Sequence, residues 1–248
     1  MNQQNNVKEA NLYTIGFLGG FAYMFLGSII YMIGYIVTLS SFDPQLAEMI
    51  RASLLAGAFP AEFVILLFIT EIVPKFLLLG GLIWLFRKTW QKDLIDFKAR
   101  WIKYLVFIIV GIGLILFSTY VIGVIYEWIG IDGGSQNQEL IETAMNSALR
   151  PLVFLLVVFI APIFEELIFR KALFGFVELK LEYRKSTALI ISTLLFAIIH
   201  VPSFDNMVFI FYYLPLSFII SYAYYKTDNI YIPIVLHFLN NLLAFLQV

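Results

Sequence analysis

The stretch PLVFLLVVFIAPIFEELIFRKALFGF, Pro151–Phe176, decides the fold. It reads as an apolar helix long enough to cross a bilayer. Yet its middle holds two adjacent carboxylates, Glu165 and Glu166, and a guanidinium, Arg170. In a hydrocarbon core each such group costs about 2.5–3.5 kcal/mol, so each one is a functional hypothesis by default.

The rest of the chain places that stretch in a membrane. Of its 248 residues 61% are hydrophobic and 13% charged, and the mean hydropathy is +0.90. Soluble domains run about 45–50% apolar and about 25% charged. Apolar runs recur at Tyr13–Leu39, Ala61–Phe86, Tyr104–Trp128, Leu152–Phe176, Thr187–Val201, Met207–Tyr225 and Ile232–Val248. The fold class expected is all-α, a polytopic transmembrane bundle of about seven spans. Glu48–Phe59, set off by Pro60, supplies an eighth in the alternative count. The chain reads as one integral membrane domain, with residues 1–148 free of recognisable motifs and residues 149–248 holding the polar groups that need explaining.

Loop charge sets an expected orientation. The connection from Arg87 to Lys103 is rich in Lys and Arg, and such loops stay in the cytoplasm. Lys171–Lys185 and Lys226 then fall on the same side, with the N-terminus. The acidic Ile129–Ala148 loop, with Asp132, Glu139 and Glu142, falls outside. The first apolar run is read as retained rather than cleaved as a signal. The basic, tryptophan-containing segment RKTWQKDLIDFKARW reads as an interfacial helix drawn to anionic lipid. Cysteine is absent, which excludes disulfides, thiolate metal sites and a Cys nucleophile. No basic face suggests nucleic acid.

Both histidines lie in apolar runs of the C-terminal half: LLFAIIH ends at His200, and IVLHFLNNLL holds His237. Glu166 and Arg170 are four apart, on one helix face, and can neutralise each other. Glu165 is rotated by about 100° and is left without that partner. His237 and Asn241 are likewise four apart, as are Phe196 and His200. Pro162 removes a backbone hydrogen bond and kinks the helix before the acidic pair. Three helices therefore each offer an incomplete polar face, and the economical arrangement is that the faces meet. A glutamate and a histidine on either side of one water can make it a nucleophile. A second histidine and an asparagine amide can donate to the oxyanion that follows. Counting residues from the basic loops puts these groups roughly 9–21 Å deep. That depth suggests a cavity opening to the cytoplasm.

In order, Glu165-Glu166-xxx-Arg170, Phe196-xxx-His200 and His237-xxx-Asn241 resemble the motifs EExxxR, FxxxH and HxxxN of the CPBP intramembrane proteases. That family includes CAAX prenyl endopeptidases and bacteriocin-processing and self-immunity proteins. The resemblance covers the last four spans. It implies that Glu165 and His200 activate water, that His237 and Asn241 line the oxyanion site, and that Glu166 and Arg170 hold the glutamate helix. It implies a hydrophobic or lipidated peptide or protein substrate in the membrane; the compact length and plain N-terminus fit a multi-pass protein of the bacterial cytoplasmic membrane. A metal-free mechanism is the favoured reading. The alternative is zinc held by Glu165, His200 and His237, although the HExxH signature is absent.

Several features keep a structural reading. Glu71 and Lys75 read as a pair around Pro74, and Glu62 as an interface residue. Gly16-xxx-Gly20 matches a small-residue packing motif without implying a dimer. Tyr212, Tyr213, Tyr222, Tyr224 and Tyr225 read as a belt or as packing. Against the enzyme stand a membrane scaffold or bacteriocin-immunity protein and, further off, a transporter using the buried charges as an ion site.

Overall fold

A computed structural model describes residues 3–55, 61–131, 133–201 and 204–247. The described residues are helical throughout, apart from short connections. We label the helices α1 (residues 3–42), α2 (Pro44–Leu55), α3 (Ala61–Leu85), α4 (Arg87–Ala99) and α5 (Trp101–Ile129). They continue as α6 (Gln136–Met145), α7 (Arg150–Lys180), α8 (Lys185–Ile199), α9 (Phe204–Thr227) and α10 (Tyr231–Phe245).

Among the described residues α5, α7 and α9 are long and apolar enough to cross a membrane. Shorter apolar helices cover Ile72–Leu85, Lys185–Ile199 and Tyr231–Phe245. The alternative eighth span lies partly outside the described residues. Its described part is the 12-residue α2, about 18 Å long and too short to cross alone. The side chains of Glu62 and Glu71, and all of Asp132, also lie outside the described residues.

Burial separates the centre of the bundle from its rim. Over half of the apolar stretch of α7 is buried (56%), against 17% for α5. The exposed side chains of α5, among them Ile102, Val106, Ile109, Val110 and Phe117, suit lipid contact. Its inner face, with Tyr104, Ile108 and Ile115, packs on Ile220 of α9 and Leu236 of α10. Gly111 lets α10 come close, since a Cβ there would sit 2.8 Å from Leu236 Cδ2. The N-terminal helix closes on α7 by the same device. At Gly20 a Cβ would lie 2.5 Å from Ile168 Cγ1, and at Gly16 it would lie 2.7 Å from Phe86 Cζ. The small-residue pair therefore serves packing within the chain.

At one end the basic segments gather. Lys171 of α7 pairs with Asp93 of α4 at 3.6 Å, and Lys185 pairs with Asp228 at 2.7 Å. Asn229 donates from Nδ2 to the Asp93 carbonyl at 2.7 Å, and the Ile230 amide donates to Asp93 Oδ2 at 3.1 Å. Three loops that charge alone assigns to one side thus meet there. At the other end α6 folds back under the bundle. Tyr126, near the end of α5, hydrogen-bonds the Val208 carbonyl, and Ser135 meets Tyr213 of α9 at 2.6 Å.

The centre of α7 is not a regular α-helix. It passes through π turns at Leu155–Ile160 and Leu167–Ala172, on either side of the acidic pair. In a π turn each N–H reaches back five residues, as Ala161 does to the Leu156 carbonyl. The next donor in that register, to Val157, would be residue 162. That residue is a proline and has no N–H. The proline therefore leaves the Val157 carbonyl open, one residue earlier than α-helical counting predicts.

Candidate active site

Asn241 of α10 fills that gap, donating from Nδ2 to the Val157 carbonyl at 2.9 Å. Its Oδ1 accepts from Asn240 Nδ2 at 3.1 Å, which fixes which way the amide points. The second hydrogen of Nδ2 is left for the cavity that both asparagines line. On the other side of the acidic pair, Ser192 of α8 donates to the Phe169 carbonyl at 2.9 Å. The π turns thus dock α8 and α10 onto α7.

Glu166 is fully buried and occupied twice. Its Oε1 accepts from Arg170 Nη1 at 3.0 Å and from His237 Nδ1 at 2.8 Å. Arg170, also fully buried, donates from Nη2 to the carbonyl and hydroxyl of Ser217. Its guanidinium lies 4.4 Å over the Phe196 ring. These contacts tie the buried pair to α9 and α10, although Glu166 Oε2 and Arg170 Nε have no hydrogen-bond partner.

Glu165 points elsewhere. Its Oε2 lies 3.7 Å from His200 Nε2 and 4.0 Å from His237 Nε2. This oxygen is buried and has no hydrogen-bond partner. The tautomers sharpen the point. His200 Nδ1 lies 2.7 Å from the Phe196 carbonyl, which can only accept, so Nδ1 carries the proton. His237 Nδ1 likewise donates to the Glu166 carboxylate. In the neutral rings both Nε2 atoms are then bare, so three lone-pair sites converge on one small space. That space demands a donor, and one water supplies two hydrogens at once.

The space opens into a cavity of about 310 Å³ lined by Glu165, His200, His237, Asn240 and Asn241, with apolar walls from Leu140, Ile141, Met145 and Phe245. Lining residues 137–145 belong to α6, at the end opposite the basic segments.

The four expected catalytic residues and their three supporting ones are all brought together. Phe196 stacks on His200 at 4.4 Å and meets the His237 ring edge-on at 5.5 Å. Sequence reasoning places Tyr213 among the belt and packing tyrosines, whereas its ring lies 4.9 Å from that of His200 and its hydroxyl bonds Ser135. Nothing in its spacing sets it apart from the neighbouring tyrosines. Ser217 and Ser221 were also missed. Their signal was legible: two hydroxyls four apart on an apolar helix.

Two imidazoles and a carboxylate are donors that zinc accepts. Among the described residues, however, no three such side chains form a metal-binding group as placed. Tetrahedral ligands 2.0–2.1 Å from an ion stand about 3.3 Å apart, closer than the 3.7 and 4.0 Å found here.

Comparison with known proteins finds likenesses to membrane proteases. Residues 147–243 match the model of the type II CAAX prenyl endopeptidase Rce1-like family. The chain is 30% identical over 185 residues, 74% of its length, to the protein named "Putative membrane peptidase YdiL" of Bacillus subtilis (strain 168). It is 28% identical over 141 residues, 56% of its length, to the membrane-embedded CAAX protease MroQ of Staphylococcus aureus (strain USA300). The matches take in 66% of YdiL and 56% of MroQ, under two thirds of each relative's length. No solved structure matches the chain. The comparisons thus show a likeness, confined in the family model to residues 147–243, to membrane-spanning helical proteins of the CAAX protease type.

Proposed function

We propose that this protein is an intramembrane endopeptidase of the bacterial cytoplasmic membrane, in which Glu165 and His200 activate a water molecule. The observation that carries the reading is Glu165 Oε2, buried without a hydrogen-bond partner and facing two bare imidazole nitrogens beside a cavity. A water held there attacks the scissile carbonyl carbon and gives a proton to Glu165. The carbonyl oxygen, now negative, meets the free hydrogen of Asn241 Nδ2. His237 joins as a donor when its Nε2 is protonated. Glu165 passes its proton to the departing amine as the C–N bond breaks. Glu166 and Arg170 take no proton; they hold His237 and the helix. Zinc, if bound, would be held by Glu165, His200 and His237 and would supply a Lewis acid.

The substrate is a hydrophobic or lipidated peptide, or the membrane-associated end of a protein. The apolar walls of the cavity support that class. The basic end, where α4 lies, faces the cytoplasm together with the N-terminus. The test compares peptides from cells carrying wild-type protein or Glu165→Gln at matched abundance, by mass spectrometry. Processing that disappears in the variant supports the enzyme and names its substrate. Matching profiles, with the variant rescuing a deletion phenotype, would replace the enzyme with a scaffold or immunity protein. In purified protein, chelators leave turnover intact; loss restored by zinc would move the same three side chains to metal binding.

A further inference from the structure

The basic end of the bundle holds a second pocket, of about 250 Å³, which shares no lining residue with the catalytic cavity. Helices α1, α4, α7 and α9 meet around it and supply Tyr13, Lys92, Asp93, Lys171, Glu178 and Tyr224. Its walls carry charge of both signs, and both tyrosines are buried.

Lys171 is the residue to explain. It is only 7% exposed, and its nearest acid, Asp93 Oδ2, stands at 3.6 Å, beyond hydrogen-bond distance. That oxygen already accepts from the Ile230 amide at 3.1 Å. An ammonium has three hydrogens to donate, and burying them without acceptors is costly. Among the described residues Lys171 makes no hydrogen bond, so the acceptors have to come from whatever fills the pocket. Lys92 of α4 is close enough to act electrostatically on Lys171 and Asp93, and it adds a second cation to that wall.

The acids show what else the occupant carries. Asp228 pairs with Lys185 at 2.7 Å, and Glu9 accepts from the Tyr13 hydroxyl at 3.5 Å. Glu178 has no hydrogen bond or ion pair among the described residues. It lies two turns beyond Lys171 along α7, about 10 Å away on the same side of the helix. A ligand between them meets an ammonium at one end and a carboxylate at the other. The depth is that of lipid headgroups. Helix α4 runs between Trp84 and Trp101, which are 65% and 55% exposed, and the Arg87 guanidinium lies 4.7 Å over the Trp84 ring. Exposed tryptophan beside basic residues marks a membrane interface.

We propose that this pocket binds the headgroup of a zwitterionic phospholipid, its phosphate on Lys171 and Lys92 and its primary ammonium on Glu178 beside the Tyr224 ring. One lipid then ties four helices together and braces the π turn Leu167–Ala172, which carries both Lys171 and Arg170.

The test titrates the full chain in mild detergent with phosphatidylethanolamine, phosphatidylglycerol or phosphatidylcholine. Native mass spectrometry reads retained lipid, and thermal unfolding reads stabilisation. The first lipid has a phosphate and N–H donors, the second lacks the ammonium, and the third has an ammonium without N–H. Phosphatidylethanolamine is expected to be retained best and to raise the unfolding midpoint most. Glu178→Gln lowers that retention about tenfold, the worth of one charge-assisted hydrogen bond, and leaves phosphatidylglycerol unchanged. Lys92→Gln weakens both lipids. Neither side chain is buried, so both variants fold. Equal retention of the three lipids, a preference for either of the other two, or wild-type retention in either variant overturns the proposal. Glycerophosphoethanolamine, the same headgroup without acyl chains, separates the sources. If it stabilises the protein as well as the lipid does, the occupant is a soluble zwitterion and the lipid assignment fails. No step depends on turnover, so the pocket and the peptidase stand or fall separately.

Discussion

Glu165 and Glu166 are adjacent in the chain, yet Glu166 Oε1 takes two hydrogen bonds while Glu165 Oε2 takes none. Glu166 Oε1 holds both Arg170 and His237, at 3.0 and 2.8 Å. Glu165 Oε2 faces His200 and His237 across 3.7 and 4.0 Å with no hydrogen bond. The 100° rotation between neighbouring helix positions divides the work.

Substitution should separate the two carboxylates. Glu165→Gln is expected to lower turnover by about 10²–10⁴-fold, the usual contribution of a positioned acid–base group, with the thermal midpoint unchanged. Glu166→Gln leaves Arg170 as an uncompensated buried charge, which costs about 3–5 kcal/mol. Thermal unfolding in detergent reads the second effect, and peptide turnover reads the first.

Asn241→Ala removes the free amide hydrogen, and a drop of about 10²–10³ in kcat is expected with little change in KM. Asn240→Ala should give a smaller loss of the same kind. It lines the cavity, and its hydrogen bond orients Asn241. Steady-state kinetics of both variants on one peptide makes the comparison.

Gly20→Ala would place a Cβ 2.5 Å from Ile168, and Gly175→Ala one 2.2 Å from the Tyr13 ring. Overpacking of this kind costs about 1–3 kcal/mol. Gly19→Ala, with nothing within 4 Å, is the control. The two packing variants should unfold at lower temperature, with the oligomeric state in size-exclusion runs unaltered.

Asp93 offers a pH handle outside the spans. Burial raises its carboxyl above the ordinary range, against the pull of Lys171 and of the Ile230 amide. A carboxyl whose folded pKa exceeds its unfolded value binds more protons when folded. Its stabilising contribution is therefore present at low pH and lost as pH rises from the ordinary carboxylate range through the raised folded value. Melting curves across that window should fall with pH more steeply for wild type than for Asp93→Asn.

Particular residues show what was legible beforehand. The long apolar runs mark α5, α7 and α9 because length and hydropathy are local properties of the chain. Glu166 with Arg170 is visible at a spacing of four because both share a helix. The second partner of Glu166, His237, comes from another helix and has no signal of its own. The α6 wall of the cavity and the Phe169–Phe196 ring contact are also invisible in the sequence, since they depend on how separate segments fold onto one another. Pro162 was read as a break. Which carbonyl it frees depends on a π register that only neighbouring helices stabilise.

That register has a consequence for biogenesis. Glu166 and Arg170 travel together on α7 and can neutralise each other as soon as that helix enters the bilayer. The Val157 and Phe169 carbonyls instead take side-chain partners from segments that emerge later: Ser192 on α8 and Asn241 on α10. During synthesis the Val157 carbonyl of α7 therefore waits, unsatisfied in lipid, for 84 more residues. A chain truncated after α9 should accordingly be degraded as an assembly intermediate, although every long apolar span is already in place.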